Sequence, residues 1–334
     1  MERIFGKNIE GKKLEEKDLR EIRDEIEDKR GLGIREIHNE LDKSPRDQLI
    51  IERAATLLTD EIESLGVKTE KAINPKRIHF LNHADFLNTG HAGAKAFLDP
   101  LTGHIYVDNE GKKGLIHPSD LNEFKLLLHE FIHARSHITY YADDQRQTLD
   151  AYRTGYSSNN VSSEEDAHGH FTGLNEAVTE AMALEITLKN RATLDVSLTI
   201  TGEDWYALVS PYETERKILS FIIKKVAEKN SETEEEVWER FKRSAFTGEL
   251  MHLRDIERTF GQGALRVVAA IDSGTFLQEK EDIQGYVDLR GRDFLNQKIL
   301  EYLETEDDEL RDTIAYSLLN NREYKGVQKR RATE

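Results

Sequence analysis

The sequence predicts an α+β fold: a small mixed sheet with an edge hairpin packs on one motif-bearing helix, and a mostly α-helical C-terminal lobe follows. Three observations carry that expectation. Strand-like alternation is clearest within residues 77–108, where apolar and polar side chains exchange with period two. Directly after it an apolar helical run contains Leu128-His129-Glu130-Phe131-Ile132-His133. From Tyr212 onward the apolar residues recur at spacings of three and four, the mark of helices with one buried face.

Composition narrows the function. With 334 residues, the chain can bury a sizeable core. We expect a charged helical arm at 1–45, a domain at 46–190 holding both site helices, and a helical lobe at 191–334. The net charge of −17 argues against nucleic acid and anionic membranes as partners, because both require a cationic surface. There are no cysteines, so disulfides, thiol nucleophiles and thiolate-held zinc are excluded, and a metal would rest on His, Asp and Glu. Met1–Lys7 lacks the apolar core of a signal peptide, and no run approaches the length of a membrane span; a cytoplasmic protein is expected. Oligomeric state leaves no trace in the sequence.

Taken in order, residues 1–45 mix charges, as in Leu14–Arg23, at the spacing of a solvated helix broken at Gly31 and Gly33. Ser44-Pro45 opens an amphipathic helix to about Leu65, with Ile50, Ala54, Leu58 and Ile62 on one face. Arg77–Leu81 reads as a strand and 82–93 as a loop. Ala94–Leu98 and His104–Asp108 form a hairpin across the turn Asp99–Gly103. Ser119 is placed as N-cap of the motif helix, which should run to about Tyr140 and bury Leu121, Phe124, Leu127, Leu128 and Phe131. Residues 142–168 read as a long polar loop. Leu174–Glu185 is a second helix, and Ala192–Ile200 a β-branched strand or loop. Helices are then expected at 212–229, 233–244, 250–260, 264–271, 294–304 and 309–320, before a frayed tail at 325–334.

The chemistry concentrates in H-E-x-x-H. Side chains four apart on a helix share a face, so His129 and His133 can hold one zinc ion, with Glu130 beside them to take a proton from a water at the ion. His137 lies two turns, about 12 Å, from His129, too far to share that ion. His168 and His170 suit the lining of a cleft. Glu176 and Glu180 share a face of the second helix beside Ala177, Ala181 and Ala183, small residues that permit close helix approach.

Leu128–His133 followed by Gly173-Leu174-Asn175-Glu176-Ala177-Val178-Thr179-Glu180 resembles the gluzincin group of zinc metallopeptidases. The metzincin pattern is absent, since Ser136 and Thr139 stand where it needs Gly and His. The resemblance spans about residues 75–190 and implies a zincin-like fold with Zn2+ held by His129, His133 and Glu176. It further implies that Glu180 orients a ligand histidine through its other ring nitrogen. It also implies a histidine or tyrosine that stabilises the oxyanion. Tyr212 is the first choice and reads as readily as a helix-start packing residue; His170 and His168 follow. The strand carrying His104 and Tyr106 would be the edge on which an extended peptide lies.

The expected function is a zinc-dependent metallopeptidase acting on a peptide or protein substrate, with Glu130 as general base. The alternatives are a catalytically silent zinc-binding or interaction protein of the same fold, and a helical interaction protein with an accidental motif.

Overall fold

The computed structural model describes residues 2–7, 13–32, 40–68, 73–89, 91, 94–109, 120–143, 148–158, 170–198, 200–206, 208, 212–271 and 285–320. In chain order the elements are β1 (Glu2–Lys7), α1 (Glu16–Leu32), β2 (Glu40–Leu41), α2 (Pro45–Ser64), β3 (Ile78–Leu81), α3 (His83–Leu87), β4 (Ala96–Asp99) and β5 (His104–Asp108). Next come α4 (Asp120–Arg135), β6 (Ile138–Asp143), β7 (Thr148–Thr154), β8 (Ser157–Ser158), α5 (Thr172–Lys189), α6 (Arg191–Ser197) and α7 (Gly202–Tyr206). The last six are α8 (Glu213–Asn230), α9 (Glu234–Thr247), α10 (Arg254–Phe260), α11 (Ala264–Ala269), α12 (Gly285–Glu304) and α13 (Asp308–Asn320). The fold is mixed α+β, mostly helical, with small mixed sheets.

Two compact units share the chain. One comprises Met1–Gly155, Thr179–Pro211 and Phe246–Gly248; the other Tyr156–Val178, Tyr212–Ala245 and Glu249–Glu334.

In the first unit α2 begins with a reciprocal cap. The Ser44 hydroxyl accepts from the Asp47 amide and the Asp47 carboxylate accepts from the Ser44 amide, satisfying donors that a helix start leaves open. Its buried stripe of Ile50, Ile51, Ala54, Leu58 and Ile62 packs with α4. One sheet runs β2-β3-β5-β4. Strand β5 lies parallel to β3, with His79 opposite Tyr106, and antiparallel to β4, with Asp99 opposite His104. The hairpin turn is fixed by Asp99, whose carboxylate accepts from the Leu101 amide and the Thr102 hydroxyl. Gly103 there has φ +67, a conformation that disfavours a Cβ.

In the other sheet β6 takes β1 in parallel and β7 antiparallel. Here the structure departs from expectation. The motif helix ends at Arg135 rather than near Tyr140, and Ile138–Asp143 is a strand. Ser136 turns its hydroxyl back to the Ile132 carbonyl, and the β-branched and aromatic run that follows suits a pleated surface. The expected loop 142–168 accordingly contains β7 and β8. The arm at 1–45 supplies strand β1 as well as helix α1. Leu14 and the α1 residues Ile22 and Ile26 are buried with Ile138, Tyr140, Leu149 and Ala151. Ala192–Ile200, expected as strand or loop, is largely α6: Leu194 and Leu198, four apart, are both fully buried.

Apart from the short strand β8, the described elements of the second unit are helices. Helix α8 buries Ile218, Leu219, Ile222 and Val226 and packs with α10 and α12. Glu215 of α8, itself buried, accepts from the Asn296 amide of α12 at 3.1 Å. Ser119 and the tail 325–334 lie outside the described residues, and no described helix is long and apolar enough to cross a membrane.

Candidate metal centre

Helix α4 has two buried stripes. Leu121, Phe124, Leu127, Leu128 and Phe131 are fully buried and anchor it. Lys125, His129 and His133 recur every four residues and therefore share another face. Helix α5 answers with Glu176 and Glu180, again four apart, among the buried Leu174, Ala177, Val178 and Ala183. At its start the amides of Phe171 and Gly173 donate to the carbonyls of Ala269 and Ile271 at 3.0 and 3.1 Å. At its end Lys189 pairs with Glu61 of α2 at 3.1 Å. Gly173 is required there, since an added Cβ would fall 2.5 Å from the Ile271 carbonyl oxygen.

One ligand atom from each of His129, His133 and Glu176 lies within 4.8 Å of the other two, and all three residues are buried. The two Nε2 atoms are 3.1 Å apart. Nitrogens at about 2.0–2.1 Å from a tetrahedral zinc would stand about 3.3 Å from each other, so the spacing fits one shared ion. The donor set fits as well, since two imidazoles and a carboxylate suit zinc among the divalent metals.

The tautomer of His129 follows from its neighbour. Burial alone would raise the Glu180 carboxyl, but the hydrogen bond and charge of His129 and the charge of Lys125 hold it down to about 2. An ionised carboxylate only accepts. His129 Nδ1, 3.0 Å from Glu180 Oε2, therefore carries the proton, and the Nε2 lone pair is directed toward His133. The other Glu180 oxygen, Oε1, accepts from the Nζ of Lys125, whose side chain is only 7% exposed. Lys125 was not singled out from the sequence. Its signal is a lone lysine one turn before His129, inside the apolar run Phe124–Leu128.

Of the remaining sequence candidates, Glu130 is buried on α4 beside His129. Tyr212 is the half-buried N-cap residue of α8. His170 is exposed, its backbone bridged to Ser158, and is not among the converging donors. His168 lies outside the described residues. His137, excluded as a ligand, is buried with Nε2 3.1 Å from the Thr139 hydroxyl.

The expectation for His104 and Tyr106 is overturned. Strand β5 is paired on both sides, by β3 and β4, so it has no free edge for a substrate. Tyr106 is fully buried and stacks on His79 and Phe97. His104 Nδ1 is 2.7 Å from His79 Nε2. The parallel strand β3 occupies the flank of the hairpin expected to be open. The edge strand on the hairpin side is β4, which also packs with α4.

None of the family models, curated proteins or solved structures compared with the chain matches it.

Proposed function

We propose that the chain is a zinc-dependent metallopeptidase of the gluzincin kind, built on a zincin-like arrangement of sheet and helices. The observation that carries this reading is the convergence of His129, His133 and Glu176, with Glu180 on the far nitrogen of His129. Those three residues would hold the ion through two imidazole nitrogens and a carboxylate oxygen. When bound, zinc would acidify a water and polarise a peptide carbonyl.

The chain supplies the rest. Glu130, adjacent to His129 on α4 and buried, would accept the proton of the attacking water on its carboxylate. It would then return that proton to the leaving amine nitrogen. Glu180 keeps the His129 ring in one tautomer and one orientation throughout. An extended substrate would pair with β4, whose backbone is bonded to β5 on one side only among the described strands.

The test is Glu130→Gln, loaded with zinc and offered a peptide library. The reading expects zinc retained and cleavage lost by on the order of a hundredfold or more. A zinc-loaded variant that cleaves like wild type overturns the mechanism. A wild type that binds zinc yet cleaves nothing supports the silent zinc-binding protein instead.

A further inference from the structure

We propose that Lys125 is a positioning residue of the metal centre, tightening zinc binding by clamping Glu180 so that Glu180 holds the His129 ring. The inference rests on the metal-binding part of the reading above and goes beyond it, because Lys125 is no ligand.

The geometry is a ladder between two helical stripes. Lys125, His129 and His133 rise along α4, and Glu180 and Glu176 along α5. Glu180 spans the first two rungs, with Oε1 on Lys125 Nζ and Oε2 on His129 Nδ1. A carboxylate with one oxygen engaged can still swing about its terminal torsion, which is broad and soft. With both oxygens engaged by donors on the same helix, its plane is fixed, and the direction of the His129 Nδ1–H is fixed with it. The Nε2 on the opposite side of that ring is then aimed at the point it shares with His133, 3.1 Å away.

Fold stability alone does not explain the pair. Burying a lysine and a glutamate costs each several kcal/mol of hydration, and apolar residues of similar size often do as well. Charge offers a second reason. The Lys125 ammonium balances the Glu180 carboxylate; without it that buried charge would be matched only through His129.

The experiment measures zinc affinity of the chelator-stripped full chain by competition with a chromophoric chelator. It compares wild type, Lys125→Met, Glu180→Gln and the double variant Lys125→Met/Glu180→Gln. Lys125→Met should weaken zinc binding by roughly tenfold to a hundredfold, the scale for a partner that orients a ligand. In the Glu180→Gln background the same change should move the affinity by less than about threefold, because the group it acts through is gone. Equal losses in both backgrounds would make Lys125 a packing residue only and overturn the role. Should Lys125→Met not fold, the double variant against Glu180→Gln decides: equal affinity supports the clamp, and a further loss overturns it. A wild type that takes up no zinc overturns the metal reading itself. A wild type that binds, beside a Lys125→Met that binds equally well, overturns the clamp alone.

Discussion

Two histidine networks in this chain are built in opposite ways. At the candidate metal centre His129 has Nδ1 on Glu180, and its Nε2 faces another Nε2, that of His133. In the helical unit His252 has Nδ1 3.1 Å from the Ser244 hydroxyl and Nε2 2.9 Å from the Tyr156 hydroxyl. Tyr156 in turn donates to the Phe241 carbonyl, so it accepts from His252. Each nitrogen of His252 has a hydroxyl partner, and burial pushes its pKa down to about 4, aided by the charge of Arg240 and opposed by Asp255 and a backbone hydrogen bond at Glu249. The difference separates a candidate ligand from a core residue. Both nitrogens of His252 meet hydroxyls, whereas His129 faces a second imidazole at a point that Glu176 also reaches.

The largest effect follows from exchanging the two. His129→Ala should weaken zinc binding by roughly a thousandfold or more, since a ligand is removed from a three-residue site. His252→Ala should leave zinc affinity of the folded protein within about threefold. Competition titration measures both, and comparable losses would erase the distinction.

Acid sharpens the contrast next. The fold keeps His252 neutral, so its contribution is complete above the unfolded value near 6.5 and is lost as pH falls toward about 4. Denaturant unfolding should show wild type losing up to roughly 3 kcal/mol more than His252→Gln across that window. Parallel pH profiles would contradict the assignment. Glu180 acts in a separate range: its depressed carboxyl contributes above the ordinary 4.5, and that contribution is lost as pH falls toward about 2.

The smallest effect concerns the helix that carries Glu176. Gly173→Ala would place a methyl 2.4 Å from the Ile271 side chain and 2.5 Å from its carbonyl. It should cost about 1–3 kcal/mol by overpacking, read from thermal unfolding of the stripped protein. An unchanged melting temperature would mean that the start of α5 is free to shift.

Much of this was legible locally. Helix α2 follows from Ser44-Pro45 and its apolar stripe, and the β4–β5 hairpin from alternation around Asp99–Gly103. The donors His129, His133 and Glu176 were nameable because fourfold spacing puts side chains on one face. What escaped depends on distant pairing. Strand β6 looked like more of α4 because its parallel partner, residues 2–7, lies at the other end of the domain and resembles a charged arm. For the same reason β5 reads as an edge from sequence, since nothing local announces that β3 lies along it. Lys125 was missed because a lysine on a helix normally signals solvent, and only the position of Glu180 makes it a buried partner.

The most direct measurement is X-ray absorption at the zinc edge on the chain after stripping, reloading and dialysis. The account predicts one zinc per chain, with two imidazole nitrogens at about 2.0–2.1 Å and the rest of the shell oxygen. A protein that retains no zinc, or a shell without imidazole, would contradict it.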